Sequence, residues 1–179
     1  MRDEICEKIK ENYAEAKVIA ECLHVVRELE IGCFLKEVMG ILQDELGSDW
    51  EVSICDISRN WGGLVLRHNK WIQHACVKLE AQGKFWSKPT VYGVIAPKDK
   101  FDRNTIKSRL GELEYFKNSS NSWSESNGWP FYQQIVDFSK DDYIQKLFQT
   151  EERDIFRSEI VTTLSQIAQS CKEIFLQES

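Results

Sequence analysis

The 179-residue sequence is short of the signatures that usually betray a chemistry. It holds no Walker loop, no GxGxxG and no GxSxG, so it lacks the phosphate cradle, the dinucleotide turn and the nucleophile elbow. No CxxC pair occurs. The three histidines, His24, His68 and His74, have no cysteine at zinc-ligand spacing. No apolar run reaches the length of a membrane span. Basic residues are in the minority: 23 Lys and Arg stand against 29 Asp and Glu, for a net charge of -6. That balance argues against direct nucleic-acid binding, which shows as a basic patch or stripe. Internal repeats and low-complexity tails are absent too.

What is present is enough for a core. The chain is 42% hydrophobic and 11% aromatic, and its mean hydropathy of -0.43 is that of a soluble protein. Six cysteines (Cys6, Cys22, Cys33, Cys55, Cys76 and Cys171) mostly fall on apolar periodic faces. With no signal-peptide pattern at the start, they read as buried free thiols in a reducing cytoplasm.

Hydrophobic period divides the chain. Residues 2–29 step by threes and fours through Ile5, Ile9, Tyr13, Ala16, Ala20, Leu23 and Val26, which predicts an amphipathic helix. Gly32 reads as a break. A second helix then carries Leu35, Val38, Met39, Leu42 and Leu46, and Gly47 stops it. From residue 50 the period drops to two. Strands are expected at 50–58, 63–68, 71–80 and 90–96, joined by short Gly- or Pro-containing turns that favour an antiparallel meander. A helix over 103–116 follows, capped by Asp102 or Asn104. The stretch 117–128 has loop composition, with an acceptor pattern at Asn118-Ser119-Ser120. Then Trp129-Pro130-Phe131-Tyr132 gathers aromatics before a final helical region, 140–176, opened by Asp141 and Asp142. Its stripe runs through Ile160, Leu164, Ile167, Cys171 and Ile174 and offers a surface for a homo-oligomer.

The expected architecture is one α+β domain over 1–179. It comprises a helical N-terminal extension (1–47) and a segment 48–179 holding a four-stranded, largely antiparallel sheet with C-terminal helices packed on one face.

Two sets of residues are candidates for function. Asp56, Glu80 and Gln82 form a degenerate version of a metal-nuclease pattern: two carboxylates to hold Mg²⁺ and a third group to orient water. Gln82 stands where that pattern has lysine. The second set is aromatic. Trp61 and Trp71 bracket the second strand in NWGGLVLRHNKW and read as core or rim anchors, with a stacking platform as the alternative. Trp123 sits in a Ser- and Asn-rich loop with no apolar neighbour in sequence, so an exposed contact ring is expected there. Trp129 joins the set.

The order of Trp61-Gly62-Gly63, Trp71, Leu79-Glu80, Tyr92-Gly93-Val94 and Trp129-Pro130-Phe131-Tyr132, over roughly residues 50–176, resembles the C-terminal region of bacterial and phage proteins of the PD-(D/E)XK nuclease superfamily. In those proteins the nuclease motifs lie upstream in a separate domain. The resemblance implies a stand-alone accessory module without the catalytic part, set in a mobile element or a defence system. The expected function is a non-catalytic module that binds a protein partner, with no cofactor and no membrane. A divergent Mg²⁺-dependent nuclease using Asp56 and Glu80, and an acidic inhibitor of a nucleic-acid-binding protein, are the alternatives.

Overall fold

Helix comes first because nothing before residue 47 interrupts it for long. In the computed structural model, which describes residues 2–86, 88–117 and 123–176, α1 (Arg2–Glu11) and α2 (Tyr13–Leu46) follow one another almost directly. Only Asn12 separates them. Its backbone leaves the helical region (φ -119°, ψ 38°) and its side-chain amide donates to the Lys8 carbonyl, the local competition with helix that asparagine favours. The expected break at Gly32 does not occur: α2 runs through it without interruption. Glycine costs about 1 kcal/mol in a helix interior, and burial of its neighbours Ile31, Phe34 and Leu35 outweighs that. The stop at Gly47 is as expected. It takes φ +79°, and its N–H donates to the Gln43 carbonyl.

The Gln43 side chain then fixes how the sheet begins. Its amide donates to the carbonyls of Gly47 and Trp50 and accepts from the Val52 N–H. β1 (Trp50–Cys55), β2 (Gly63–His68), β3 (Cys76–Ala81) and β4 (Thr90–Ile95) form the antiparallel meander that the short turns require. Two strands close tightly on glycine. Gly63 has φ +151°, and a Cβ there would lie 2.0 Å from the Leu79 carbonyl oxygen. Gly93 has φ +154°, with the Phe131 carbonyl oxygen 2.2 Å from the equivalent point.

The sheet has five strands, not the expected four. β5 (Phe131–Val136) pairs antiparallel with β4 and forms the second edge. The chain reaches it through α3 (Arg103–Glu112), capped by the Asp102 carboxylate, and α4 (Glu114–Lys117). Two adjacent glutamines hide β5 from a period-two reading. Gln133 is buried and accepts from the Tyr92 hydroxyl at 2.7 Å, while Gln134 is exposed. The acceptor pattern at Asn118 lies outside the described residues.

Helices cover one face of the sheet. α2 lies against β1 and β2, and α6 (Thr150–Cys171) against β3 and β4, with α5 (Asp141–Leu147) beside both helices. Phe34, Leu35, Val38 and Leu42 from α2 and Ile160, Leu164, Ile167 and Cys171 from α6 are buried with Leu64, Leu66, Val77, Leu79 and Val94 from the sheet. The apolar stripe of α6, expected to be available to a second copy, is thus used within the chain. An ionic clamp joins α2 to α6. Arg153 pairs with Glu30 and, at 2.7 Å, with Glu37, while its guanidinium lies 5.6 Å from the Phe34 ring centre. Arg157 also reaches Glu37, at 2.9 Å.

The thiols depart from expectation. Cys76 and Cys171 are buried, and burial pushes the Cys76 thiol up to about 11. Cys6, Cys22, Cys33 and Cys55 are exposed. Cys6, Cys22 and Cys33 lie on faces of the N-terminal helices that the body does not cover, and Cys55 lies on the uncovered face of the sheet.

Candidate functional site

The uncovered face of the sheet carries the proposed carboxylates. Cross-strand partners align there in rows: Glu51 with Arg67, Ser53 with Val65 and Lys78, and Cys55 with Gly63 and Glu80. A shallow groove of about 400 Å³ runs across this face, lined by Cys55, Arg67, His74, Cys76 and Lys78 among others. Glu80 stands beside Lys78 on β3, two residues away and so on the same face. Their ion pair is 2.6 Å long and mostly buried, with side chains 6% and 12% exposed. Lys78 also donates to the Trp61 carbonyl at 2.7 Å, and the Gln82 amide donates to Glu80 at 2.9 Å. Glu80 and Gln82 therefore meet as the sequence pattern suggests, through a hydrogen bond that orients the carboxylate.

Asp56 is placed differently. It has left β1 and opens the turn towards β2. Its carboxylate accepts from the Ser58 hydroxyl at 2.6 Å and the Ser58 N–H at 3.0 Å, and pairs with Arg59 at 2.9 Å. These partners, the Ser58 hydroxyl foremost, hold Asp56 below the usual carboxylate range. This is the arrangement of an Asx turn. Both carboxylates thus have partners of their own. Among the described residues, no group of three or more His, Cys, Asp or Glu side chains is gathered so as to hold a metal ion.

The four tryptophans divide. Trp71, 4% exposed, is an anchor. Its indole N–H donates to the Lys172 carbonyl at 2.8 Å, and its ring packs edge-on to Trp50 and against Phe175. It ties the end of the sheet to the chain beyond α6, where an isolated bridge pairs Trp71 with Leu176. His68 is buried against Trp50 and close to Trp71, and burial lowers its basicity.

Trp61 is not an anchor. Its ring is 62% exposed, and its backbone sits at φ +63°, uncommon for a bulky residue. The main chain explains the placement. The Trp61 N–H donates to Ala81, and its carbonyl holds Lys78. Gly62 packs so closely on the Asp56 backbone that a Cβ would come within 2.1 Å of the Asp56 carbonyl oxygen.

Trp123, expected to stand exposed, is half-buried in an aromatic cluster. Its nearest ring is Phe116, 4.9 Å away, with Tyr92, Tyr115 and Phe131 around it. The sequence concealed this because every neighbour comes from another element. Trp129 is half-buried and sits edge-on to Tyr132.

Most of the exposed large apolar side chains among the described residues lie elsewhere. On α1 and the first half of α2, nine large apolar side chains from Ile5 to Leu29 are exposed, Leu23 by 62%. Contact with the body begins near Arg27, which donates to the Phe138 carbonyl. The amphipathic period that predicted this helix was legible in the sequence. That the other described residues leave it uncovered was not.

No helix among the described residues is long and apolar enough to cross a membrane. Comparison of the chain with family models, with curated proteins and with solved structures finds no match.

Proposed function

We propose that the protein is a non-catalytic interaction module, whose α+β body presents a helical arm to a protein partner. One observation carries this reading: nine large apolar side chains are exposed along residues 5–29. Monomeric soluble proteins rarely leave a contiguous apolar patch of more than a few hundred Å² in water, and larger ones mark interaction surfaces. The exposed ring of Trp61, in the turn between β1 and β2, is a secondary contact candidate. The mobile-element or defence setting implied by the PD-(D/E)XK resemblance is part of the same proposal.

The nuclease alternative requires Asp56 to release Ser58 and Arg59, and Glu80 to release Lys78, before either takes Mg²⁺. The interaction reading is tested by placing a photo-crosslinking amino acid at Val18, in cells of the native host. Polypeptide adducts at that position support it. Irradiation that yields no polypeptide adduct refutes it, as does Mg²⁺-dependent nucleic-acid cleavage that disappears in Asp56→Asn.

A further inference from the structure

Away from the arm, two segments of the body are laced together. Ala96 donates to the Gly128 carbonyl at 3.0 Å and Lys98 to the Asn127 carbonyl at 3.3 Å. Asp102 caps α3 by accepting from the Asn104 N–H. Arg103 therefore falls in the first turn, and its Nη2 donates to the carbonyls of Ser126 and Asn127, both at 2.6 Å. A cleft of about 350 Å³ opens between the start of α3 and the chain leading to β5. Lys107, one turn after Arg103, lines the same cleft and pairs with Glu125 at 2.7 Å.

The cleft is short of counter-charge. Lys98, Arg103 and Lys107 stand against one lining carboxylate, Glu125, although the chain as a whole carries a net charge of -6. Arg103 makes its hydrogen bonds to neutral carbonyls, and its Nε and Nη1 are buried with no partner among the described residues. Burying a charge without a counter-ion is costly, and burial pulls Arg103 below the ordinary guanidinium value. Glu125 reports the local field. Lys107 foremost, then Arg103 and Lys98, hold its carboxyl below the usual range. The excess over that carboxylate is two positive charges.

We infer that this cleft binds a small phosphorylated polyhydroxy compound, its phosphoryl group held by the charges of Lys98, Arg103 and Lys107. A phosphate monoester carries about two negative charges at neutral pH, which matches the excess. Asn104, Ser126 and Asn127 complete the lining, and such residues give and take hydrogen bonds as hydroxyl groups require. No aromatic or aliphatic side chain among the described residues lines the cleft, so a nucleobase or an acyl chain finds no apolar wall there. The size of the ligand follows from the charge outside. Salt screens charges more than about 10 Å away, so a small ion meets mainly the local excess. A nucleic acid or an anionic bilayer meets the acidic chain as a whole.

Equilibrium dialysis of the full chain against labelled glucose phosphorylated on its primary hydroxyl tests this. At about 50 mM salt, where screening is weaker than at physiological salt, saturable binding with a Kd of about 1 mM or tighter is expected. Inorganic phosphate should compete less well than the unlabelled sugar phosphate, and glucose should not compete. The double variant Lys98→Gln/Lys107→Gln, at two exposed positions, is expected to bind at least about 10-fold more weakly, the scale of a lost charged hydrogen bond. Its denaturant unfolding should stay in place. Glu125→Gln removes the resident carboxylate and is expected to bind labelled inorganic phosphate at least about 3-fold more tightly than the wild type.

A chain that retains no sugar phosphate at about 10 mM overturns the inference. So does binding that the double variant leaves intact, or phosphate binding that Glu125→Gln weakens. Sulfate or inorganic phosphate competing as well as the sugar phosphate overturns the polyhydroxy ligand, since charge alone then accounts for the binding. Stronger competition from adenosine monophosphate overturns it by showing that a base is held as well. Competition from a DNA oligonucleotide or from vesicles of anionic lipid, at equal phosphate concentration, overturns the small ligand. None of these outcomes bears on the helical arm, whose reading is tested separately at Val18.

Discussion

Two halves of one helix meet different surroundings. From Ile31 to Leu42, α2 lies on the sheet and α6, and its apolar residues are buried. From Tyr13 to Leu29 it carries apolar residues at comparable density, and they face water. Composition does not separate the halves. Only the presence of a second layer does: residues 31–42 find β1, β2, α5 and α6 beside them, and residues 13–26 find no covering layer among the described residues. An apolar helix face states a need for a partner and not the identity of that partner.

The sharpest test of that difference is a pair of truncations on the one helix. Phe34 is fully buried, stacked on Phe156 at 5.3 Å and edge-on to Phe138. Phe34→Ala is expected to cost about 3–5 kcal/mol in urea unfolding. Leu23→Ala should change unfolding of the dilute monomer by no more than about 0.5 kcal/mol, because it opens no cavity. Equal losses would mean that the arm is packed in solution and that the two halves do not differ.

The same contrast divides two tryptophans that the sequence displays as a matched pair. Trp71→Ala removes a buried ring and its hydrogen bond to Lys172, so about 3–5 kcal/mol is expected. Trp61→Ala removes an exposed ring, and a loss below about 0.5 kcal/mol is expected. Unfolding curves of the two variants, measured side by side, check this. A large loss at Trp61 would show that its ring closes over the Lys78–Glu80 pair in solution.

These pairs show where the sequence was legible. The alternation at residues 50–55 was plain, because that strand has one face on the core and its own residues display it. The cap at Asp102 and the stop at Gly47 were plain for the same reason: the chemistry that decides them lies within a few residues. β5 was concealed by buried Gln133, which is stabilised by Tyr92 from another strand. Trp123 was misjudged because Phe116, Tyr92 and Phe131 reach it from three separate elements. The candidate carboxylates follow the same rule. Glu80 meets Gln82 two residues on, as the pattern suggests, whereas Asp56 is set by a turn whose geometry the pattern does not contain.

The ionic clamp holds the packed half to α6, and pH probes it. The hydrogen bond from Arg153 is the main cause that holds Glu37 below 4.5, with Arg157 adding to it and burial opposing it. A folded-state value below the unfolded one stabilises the fold above pH 4.5, and that contribution is lost as pH falls through the folded-state value. Glu37 is more than one-third exposed, so solvent screens the pair and only about 1 kcal/mol is expected between the wild type and Glu37→Gln at pH 7. Thermal melts from pH 7 to pH 3 should show the two proteins converging as the wild-type carboxylate becomes protonated. A constant gap across that range would mean that packing, and not charge, makes the contribution.

The smallest effect separates two faces within the packed half. Gly40 is exposed, and a Cβ added there meets nothing within 4 Å. Gly40→Ala therefore needs only the backbone argument. Alanine loses less conformational freedom than glycine on entering a helix, so a gain of about 0.5–1 kcal/mol is expected. Gly32 has the same backbone advantage, but its added Cβ would come within 3.0 Å of Ile57 Cδ1, the far end of a flexible side chain. Ile57 has to turn aside, so Gly32→Ala should gain less than Gly40→Ala, although both occupy the same helix. Denaturation midpoints of the two variants read the difference directly. An equal gain at both positions would show that Ile57 moves freely and that the segment after β1 does not press on α2. A clear loss at Gly32 would show that it is held firmly there, and that the packed half of the helix is constrained on this face as well as on the face that meets the sheet.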